Sequence, residues 1–177
     1  LEDTKRVWVA LGSNLGDSNR ILQQAWQELG EKEEIDLVLL SSPYVSDPVG
    51  MESENLFLNA VGIFETTYPP EPLLALLQQV ERGFGRDKKS DKGGYQDRLL
   101  DLDILYFDSC IVQTDTLIVP HPHMGERLFV LAPLVEIDPK HCDPISMKSV
   151  EDMYQMLLQK IESKSTAFQE IKCSSWI

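Results

Sequence analysis

Long hydrophobic runs are missing from these 177 residues, so none can supply the roughly 20 apolar residues of a membrane-spanning helix. Residues 1–6 lack the apolar stretch of a secretory signal, and a cytoplasmic chain is expected. Cysteine is scarce. Cys110, Cys142 and Cys173 are widely spaced and odd in number, which fits neither a disulfide framework nor a paired zinc-ligand pattern. Basic residues are outnumbered, 16 Lys and Arg against 29 Asp and Glu, and the formal net charge of -13 repels nucleic acids and anionic membranes. There is no glycine-rich Walker sequence, so phosphates are not expected at a helix N-terminus in that familiar way. Internal repeats, low-complexity segments and linkers are also lacking. With 42% hydrophobic residues in a chain this short, a single domain over 1–177 is expected.

What is present is a regular succession of elements. Residues 6–11 read as a β-branched, aromatic-rich strand that ends at Gly12-Ser13-Asn14. From Asp17 or Ser18, Ile21, Leu22, Ala25, Trp26 and Leu29 recur at helical spacing up to Gly30. Strands are expected at 35–44 and 56–64, joined by a long loop, and a helix from Pro69-Pro70 towards Gly83. A fourth strand at 99–107, one or two short ones within 111–119 and a brief helix at 127–134 follow. Ser149 and Asp152 cap a C-terminal helix running to Ile161. Beyond Glu162 the pattern is ambiguous, with a last strand at 167–172 as one reading. The core order βαββαβ predicts an α+β ferredoxin-like sandwich, an antiparallel sheet with helices on one face, plus the C-terminal helix.

The segment 98–105, Arg-Leu-Leu-Asp-Leu-Asp-Ile-Leu, carries the most chemistry. In a strand, residues two apart face the same side about 6.6 to 6.8 Å apart, so Asp101 and Asp103 project together. That spacing alone leaves two readings open: an amphipathic strand showing acids to water, or a pair that shares a hard cation. The neighbours favour the second. Six cations, Arg82, Arg86, Lys88, Lys89, Lys92 and Arg98, lie between positions 82 and 98 beside three acids, in a segment holding Gly93-Gly94. A basic, flexible loop ahead of strand carboxylates suits phosphoryl or nucleotidyl transfer, which needs charge neutralisation on polyphosphate. His121 and His123 have no third ligand nearby, so zinc is not expected, and His123 reads as a surface residue.

Five motifs then converge on one family. GSNLGD (12–17), LFLNAV (56–61), RLLDLDIL (98–105), VPHPHMGERLFVLAPL (119–134) and EIDP (136–139) resemble the 6-hydroxymethyl-7,8-dihydropterin pyrophosphokinases, in that family's order and spacing over about 7–160. The resemblance implies the ferredoxin-like fold and transfer of pyrophosphate from ATP to the pterin, giving AMP. It implies two magnesium ions on Asp101 and Asp103, and phosphate contacts from Arg86, Arg98 and Lys88. It places Gln78, Glu81, Ile104, His121 and Arg127 on the ATP side. Phe57 and Phe129 match the aromatic pair that sandwiches the pterin, and Asn59 the amide that reads its edge. Ser46, Asp47 and Val49 match the pocket lining, and Tyr95 stands where a loop aromatic covers the ring. A monomer acting on small molecules is expected.

Taken without the resemblance, the two phenylalanines, Asn59 and Glu81 read as core or surface residues. Two other functions fit parts of the pattern: a ferredoxin-like module that binds a small molecule without converting it, and a magnesium-dependent nucleotidyltransferase with another acceptor. The chain departs from the family at 94–98, Gly-Tyr-Gln-Asp-Arg, where proline or a small residue usually precedes the arginine. An acid at 97 is expected to weaken the local positive field and slow turnover. The loop is about two residues longer than in common members, and Thr116 and Pro122 also differ from the usual pattern.

Overall fold

The computed structural model describes residues 4–50, 53–85 and 97–176. Strand alternation in β1, Lys5–Ser13, sends Val7, Val9 and Leu11 to one face of the sheet and Trp8 and Ala10 to the other. Because both sets are apolar, both faces need cover. Helices α1, Ser18–Gly30, and α2, Pro70–Gly83, pack on the first face through Leu22, Ala25, Leu29, Leu73 and Leu77. The second face is covered by α3, Leu128–Ile137, and the C-terminal helix α4, Val150–Glu162.

The remaining strands are β2, Ile35–Leu40; β3, Tyr44–Ser46; β4, Phe57–Thr66; β5, Asp101–Phe107; and β8, Ile171–Cys173. They run in the order β5-β1-β4-β3-β8, with β2 also on β4, and every pairing is antiparallel. This is the expected ferredoxin-like strand order, but the helices are not confined to one face: α3 joins α4 on the second, because Trp8, Val61, Ile63 and Tyr106 make that face apolar as well. The short β6, Val112–Gln113, and β7, Ile118–Val119, form a separate ribbon.

The strand expected at 35–44 is broken in two. Pro43 has no amide hydrogen to give a ladder, and the chain kinks over 41–43. Ser41 fills the gap: its amide donates to Val61 O at 2.9 Å and its hydroxyl accepts from Val61 N at 3.0 Å. Gly62 on β4 is required by close approach, since an added Cβ would overlap the Trp26 ring lying across the strand. Helix α1 is capped by Asp17, which accepts from Arg20 N at 3.1 Å, and α4 by Ser149, which accepts from Asp152 N at 3.0 Å.

A bulge in β5 decides which side chains reach the site. Val9 pairs with Ile104 but Trp8 pairs with Tyr106, so Leu105 is the extra residue. Leu105 and Tyr106 consequently both pack on the α3/α4 face. Ahead of the bulge, Leu100, Leu102 and Ile104 face α1 and α2, which leaves Asp101 and Asp103 on the α3/α4 side.

Candidate active site

The strand register builds the floor. Gly12 of β1 stands opposite Asn59 of β4 on one side and Asp101 of β5 on the other. Asn59, Gly12 and Asp101 therefore form one row across three strands, roughly 10 Å from end to end at normal strand spacing. One row further along, Ala10 stands opposite Asp103. The small residues in the middle keep this floor low. A Cβ on Gly12 would come within 3.5 Å of Asn59 Oδ1 and 3.9 Å of the Asp101 Cβ, partly filling the space between them.

Above this floor lies a cleft that opens to solvent. Its two ends differ in chemistry. Phe57, half-buried, lines one end with Asn59, Ser46, Asp47 and Val49, and the half-buried Phe129 lines the cleft beside Arg127. Asp101, Asp103, Arg98, His121 and Arg127 line the other end.

Asn59 is buried and held by its own amide group. Its Nδ2 donates to Ser46 Oγ at 3.0 Å and to Tyr44 O at 3.4 Å, which leaves Oδ1 towards the cleft. Tyr44 is fixed in turn by α3: its hydroxyl donates to Glu136 Oε2 at 2.9 Å, while Ser42 donates to Glu136 Oε1 from both amide and hydroxyl. Burial, then the Glu136 carboxylate, push the Tyr44 phenol above its ordinary range.

At the charged end, Arg98 Nη1 lies 2.7 Å from Asp101 Oδ2. Desolvation, then the negative charges of Asp101 and Glu81, raise the Asp103 carboxyl to about 7, against the pull of Arg127 and Arg98. Two carboxylates crowded on one wall form a hard oxygen donor set that is relieved by a cation, and a magnesium ion needs only one or two protein carboxylates when phosphates and water complete its shell. The residues fit such an ion. His121 is pushed down to about 4 by burial, then by the Arg127 and His123 charges, so its imidazole is neutral near pH 7. Its Nδ1 accepts from His123 N at 3.2 Å, which puts the ring proton on Nε2.

Gln78, Glu81 and Ile104 are not part of this cleft. Ile104 is core on the α1/α2 face. Glu81 is buried and accepts from Leu102 N at 2.8 Å, along the edge of β5 away from β1. Gln78 lies one turn earlier on α2, half-buried. Arg86, Lys88 and Tyr95 lie outside the described residues.

A profile of the family described as 7,8-dihydro-6-hydroxymethylpterin-pyrophosphokinase (HPPK) matches residues 8–139, which contain every residue lining the cleft. The chain belongs to the HPPK family. Among HPPK relatives, a 2-amino-4-hydroxy-6-hydroxymethyldihydropteridine pyrophosphokinase of Bacillus subtilis is 45% identical over 131 residues, 74% of this chain and 77% of the relative. One from Porphyromonas gingivalis is 40% identical, over 75% of this chain and 90% of its own length. The Folic acid synthesis protein fol1 of Pneumocystis carinii is 35% identical over 88% of this chain, which spans only 20% of that longer protein. The fold is shared with Plasmodium falciparum HPPK-DHPS, at a TM-score of 0.73 and 11% identity over 92% of this chain and 45% of the larger one.

The HPPK site also depends on residues that sequence reading left without a role. Asn14, buried at the end of β1, donates from its amide N to Arg98 O at 3.1 Å, and its Oδ1 accepts from Arg98 N at 2.7 Å. Its Nδ2 donates to Asp97 at 2.7 Å. Asp97 also accepts from Ser53 Oγ at 2.6 Å and Asn55 Nδ2 at 2.8 Å. These donors, Ser53 first, hold the Asp97 carboxyl below its ordinary value. Asp97 is thus a clasp joining three loops and not a cleft-lining acid. Asp97→Ala is expected to slow turnover severalfold, where removal of an unfavourable charge would raise it; steady-state kinetics of the variant decides the sign.

Proposed function

We infer that this chain transfers the pyrophosphoryl group of ATP to 6-hydroxymethyl-7,8-dihydropterin, giving AMP and the pterin pyrophosphate for folate synthesis. The single observation that carries the reading is the register row Asn59–Gly12–Asp101, which sets a ring-reading amide and a paired carboxylate at opposite ends of one cleft. The flat pterin stacks between Phe57 and Phe129, where burial and offset stacking favour a planar heterocycle. Asn59 Oδ1 accepts from the aminopyrimidinone edge, and Ser46, Asp47 and Val49 close that end. The hydroxymethyl group then points along the floor to Asp101 and Asp103.

Asp101 and Asp103 would hold two magnesium ions. Magnesium held there would supply charge screening for the polyphosphate oxygens. Arg98, with Arg86 and Lys88 from the preceding segment, takes up charge on the phosphates, and His121 donates from Nε2 without adding charge. Arg127 adds a cation at the same end. Gln78, Glu81 and Ile104 are proposed for the adenosine side, where α2 packs beside β5 and Glu81 accepts from Leu102 N. Tyr95 is proposed to cover the pterin. The reaction is one of alignment: the hydroxymethyl oxygen attacks the β-phosphorus in line, and AMP leaves. We propose that the monomer is the working unit.

Reversed-phase separation of products tests the reading. AMP together with a pyrophosphorylated pterin supports it; free pyrophosphate with a nucleotidylated acceptor overturns it.

A pH dependence follows from Asp103. Its folded value, about 7, lies above the ordinary 3.8. The fold therefore favours the protonated form, and this contribution to stability is full below about pH 4 and lost as pH rises through about 7. Metal-free protein should lose thermal stability over that window more steeply than Asp103→Asn, and magnesium should raise the melting temperature more at pH 8 than at pH 6. Identical pH slopes for the two proteins in differential scanning fluorimetry would refute the assignment.

A further inference from the structure

Residues 163–176 follow the last helix and lie beyond the segment matched by the family profile. They return across the molecule to the cleft. Strand β8 pairs with β3, setting Ile171 opposite Ser46 and Cys173 opposite Tyr44, and Ser174 N donates to Pro43 O at 2.8 Å. Trp176 packs on the α1/α2 core and donates from Nε1 to Ser41 O at 2.9 Å. The tail is therefore integrated with the wall that carries Ser46.

Two residues before β8, the same tail reaches the opposite wall. Helix α3 begins at Leu128, and Arg127, its capping residue, gives no side-chain hydrogen bond to the helix. The first-turn amides of a helix need partners from elsewhere. Gln169 supplies one: its Oε1 accepts from Leu128 N at 2.8 Å, while its Nε2 donates to Glu126 O at 2.8 Å. One carboxamide thus spans Arg127 from both sides, using its donor and its acceptor at once. Arg127 and Phe129, on either side of Leu128, both line the cleft, and the Arg127 guanidinium carbon lies 5.8 Å from the Phe129 ring centre.

We propose that Gln169 is a positioning residue for the pyrophosphokinase reaction, fixing the Arg127–Phe129 wall from the C-terminal tail. The proposal rests on the functional reading above. Gln169 touches no substrate; it sets the backbone from which the stacking ring and the phosphate-side cation project. A loosened helix start lets both side chains drift, and a displacement of about 1 Å in a positioning group can cost up to a hundredfold in rate.

The experiment compares wild type, Gln169→Leu and Gln169→Glu in steady-state kinetics, with pterin binding measured beside a non-hydrolysable ATP analogue. Leucine keeps bulk without either hydrogen bond; glutamate keeps the acceptor for Leu128 N but sets a second oxygen against Glu126 O. The expected result is a rise in KM for the pterin of about tenfold in the leucine variant and a smaller rise in the glutamate variant. Leu29→Ala on α1, on the opposite face of the sheet and away from the cleft, serves as a stability control matched by thermal midpoint. Unchanged pterin KM in Gln169→Leu, or an equal rise in the Leu29→Ala control, overturns the proposal. Wild type that forms no AMP would instead refute the functional reading itself.

Discussion

Asp101→Ala and Asp103→Ala should each lower AMP formation by about a thousandfold or more, because fixed charge neutralisation supplies most of the rate in phosphoryl transfer. The fold should survive. Both side chains line the cleft and not the core, and the strand that carries them is held by Leu100, Leu102 and Ile104 on its other face. Asp103→Ala should even raise the thermal midpoint of the metal-free protein at pH 8, since it deletes a desolvated charge crowded by Asp101 and Glu81. Loss of turnover with a gain in stability separates a functional carboxylate from a structural one. Near-normal turnover in either variant would remove the pair from the mechanism. A midpoint that falls sharply in both would mean that the aspartates serve the fold.

Asn59→Ala should weaken pterin binding by about a hundredfold, the loss of roughly two hydrogen bonds in a water-poor pocket, while ATP binding changes little. The substitution removes the cleft-facing Oδ1 and also orphans Ser46 Oγ, which is buried and receives the Asn59 amide. Calorimetric titration with hydroxymethylpterin and separately with an ATP analogue checks the asymmetry. Equal weakening of both ligands would indicate a collapsed cleft, and unchanged pterin affinity would move the ring-reading role elsewhere.

The parts of this fold with a clean period were readable in the sequence. Helices α1 and α2 show apolar residues at helical spacing and acquire the expected boundaries within a residue. The Asp101 and Asp103 alternation survives into β5 because the bulge falls after them, at Leu105. Helix α3 was harder to delimit. Six of its ten residues are buried, so it has no polar stripe to mark a period, and it runs three residues beyond the expected end. The break between β2 and β3 follows from Pro43, but its repair by Ser41 depends on a partner strand that local reading does not supply.

Of the cleft, strand period alone marked Asp101 and Asp103, whereas Ser46, Asp47, Val49, Phe57, Asn59, Arg98, His121, Arg127 and Phe129, which also line it, were marked by the family resemblance. Its supports were not. Asn14 reaches Asp97 and Arg98, Glu136 reaches Ser42 and Tyr44, and Gln169 reaches Glu126 and Leu128. Each is a polar residue whose partner lies forty or more positions away, and no periodicity records such a bond. Asp97 shows the cost. Read locally it is a misplaced negative charge; in the fold it is the joint of three loops.

The interrupted outer margin of the sheet has a practical consequence. Strand β8 seals the half formed by β3, whereas among the described residues β2 pairs only with β4 and shows Leu37, Val38 and Leu39 to water. Removing residues 171–176 would strip the seal and leave the edges of both β2 and β3 open to pairing, the first of them apolar. Versions that lack residues 171–176 should accordingly precipitate or self-associate, and that segment belongs in any preparation meant for crystals or assays.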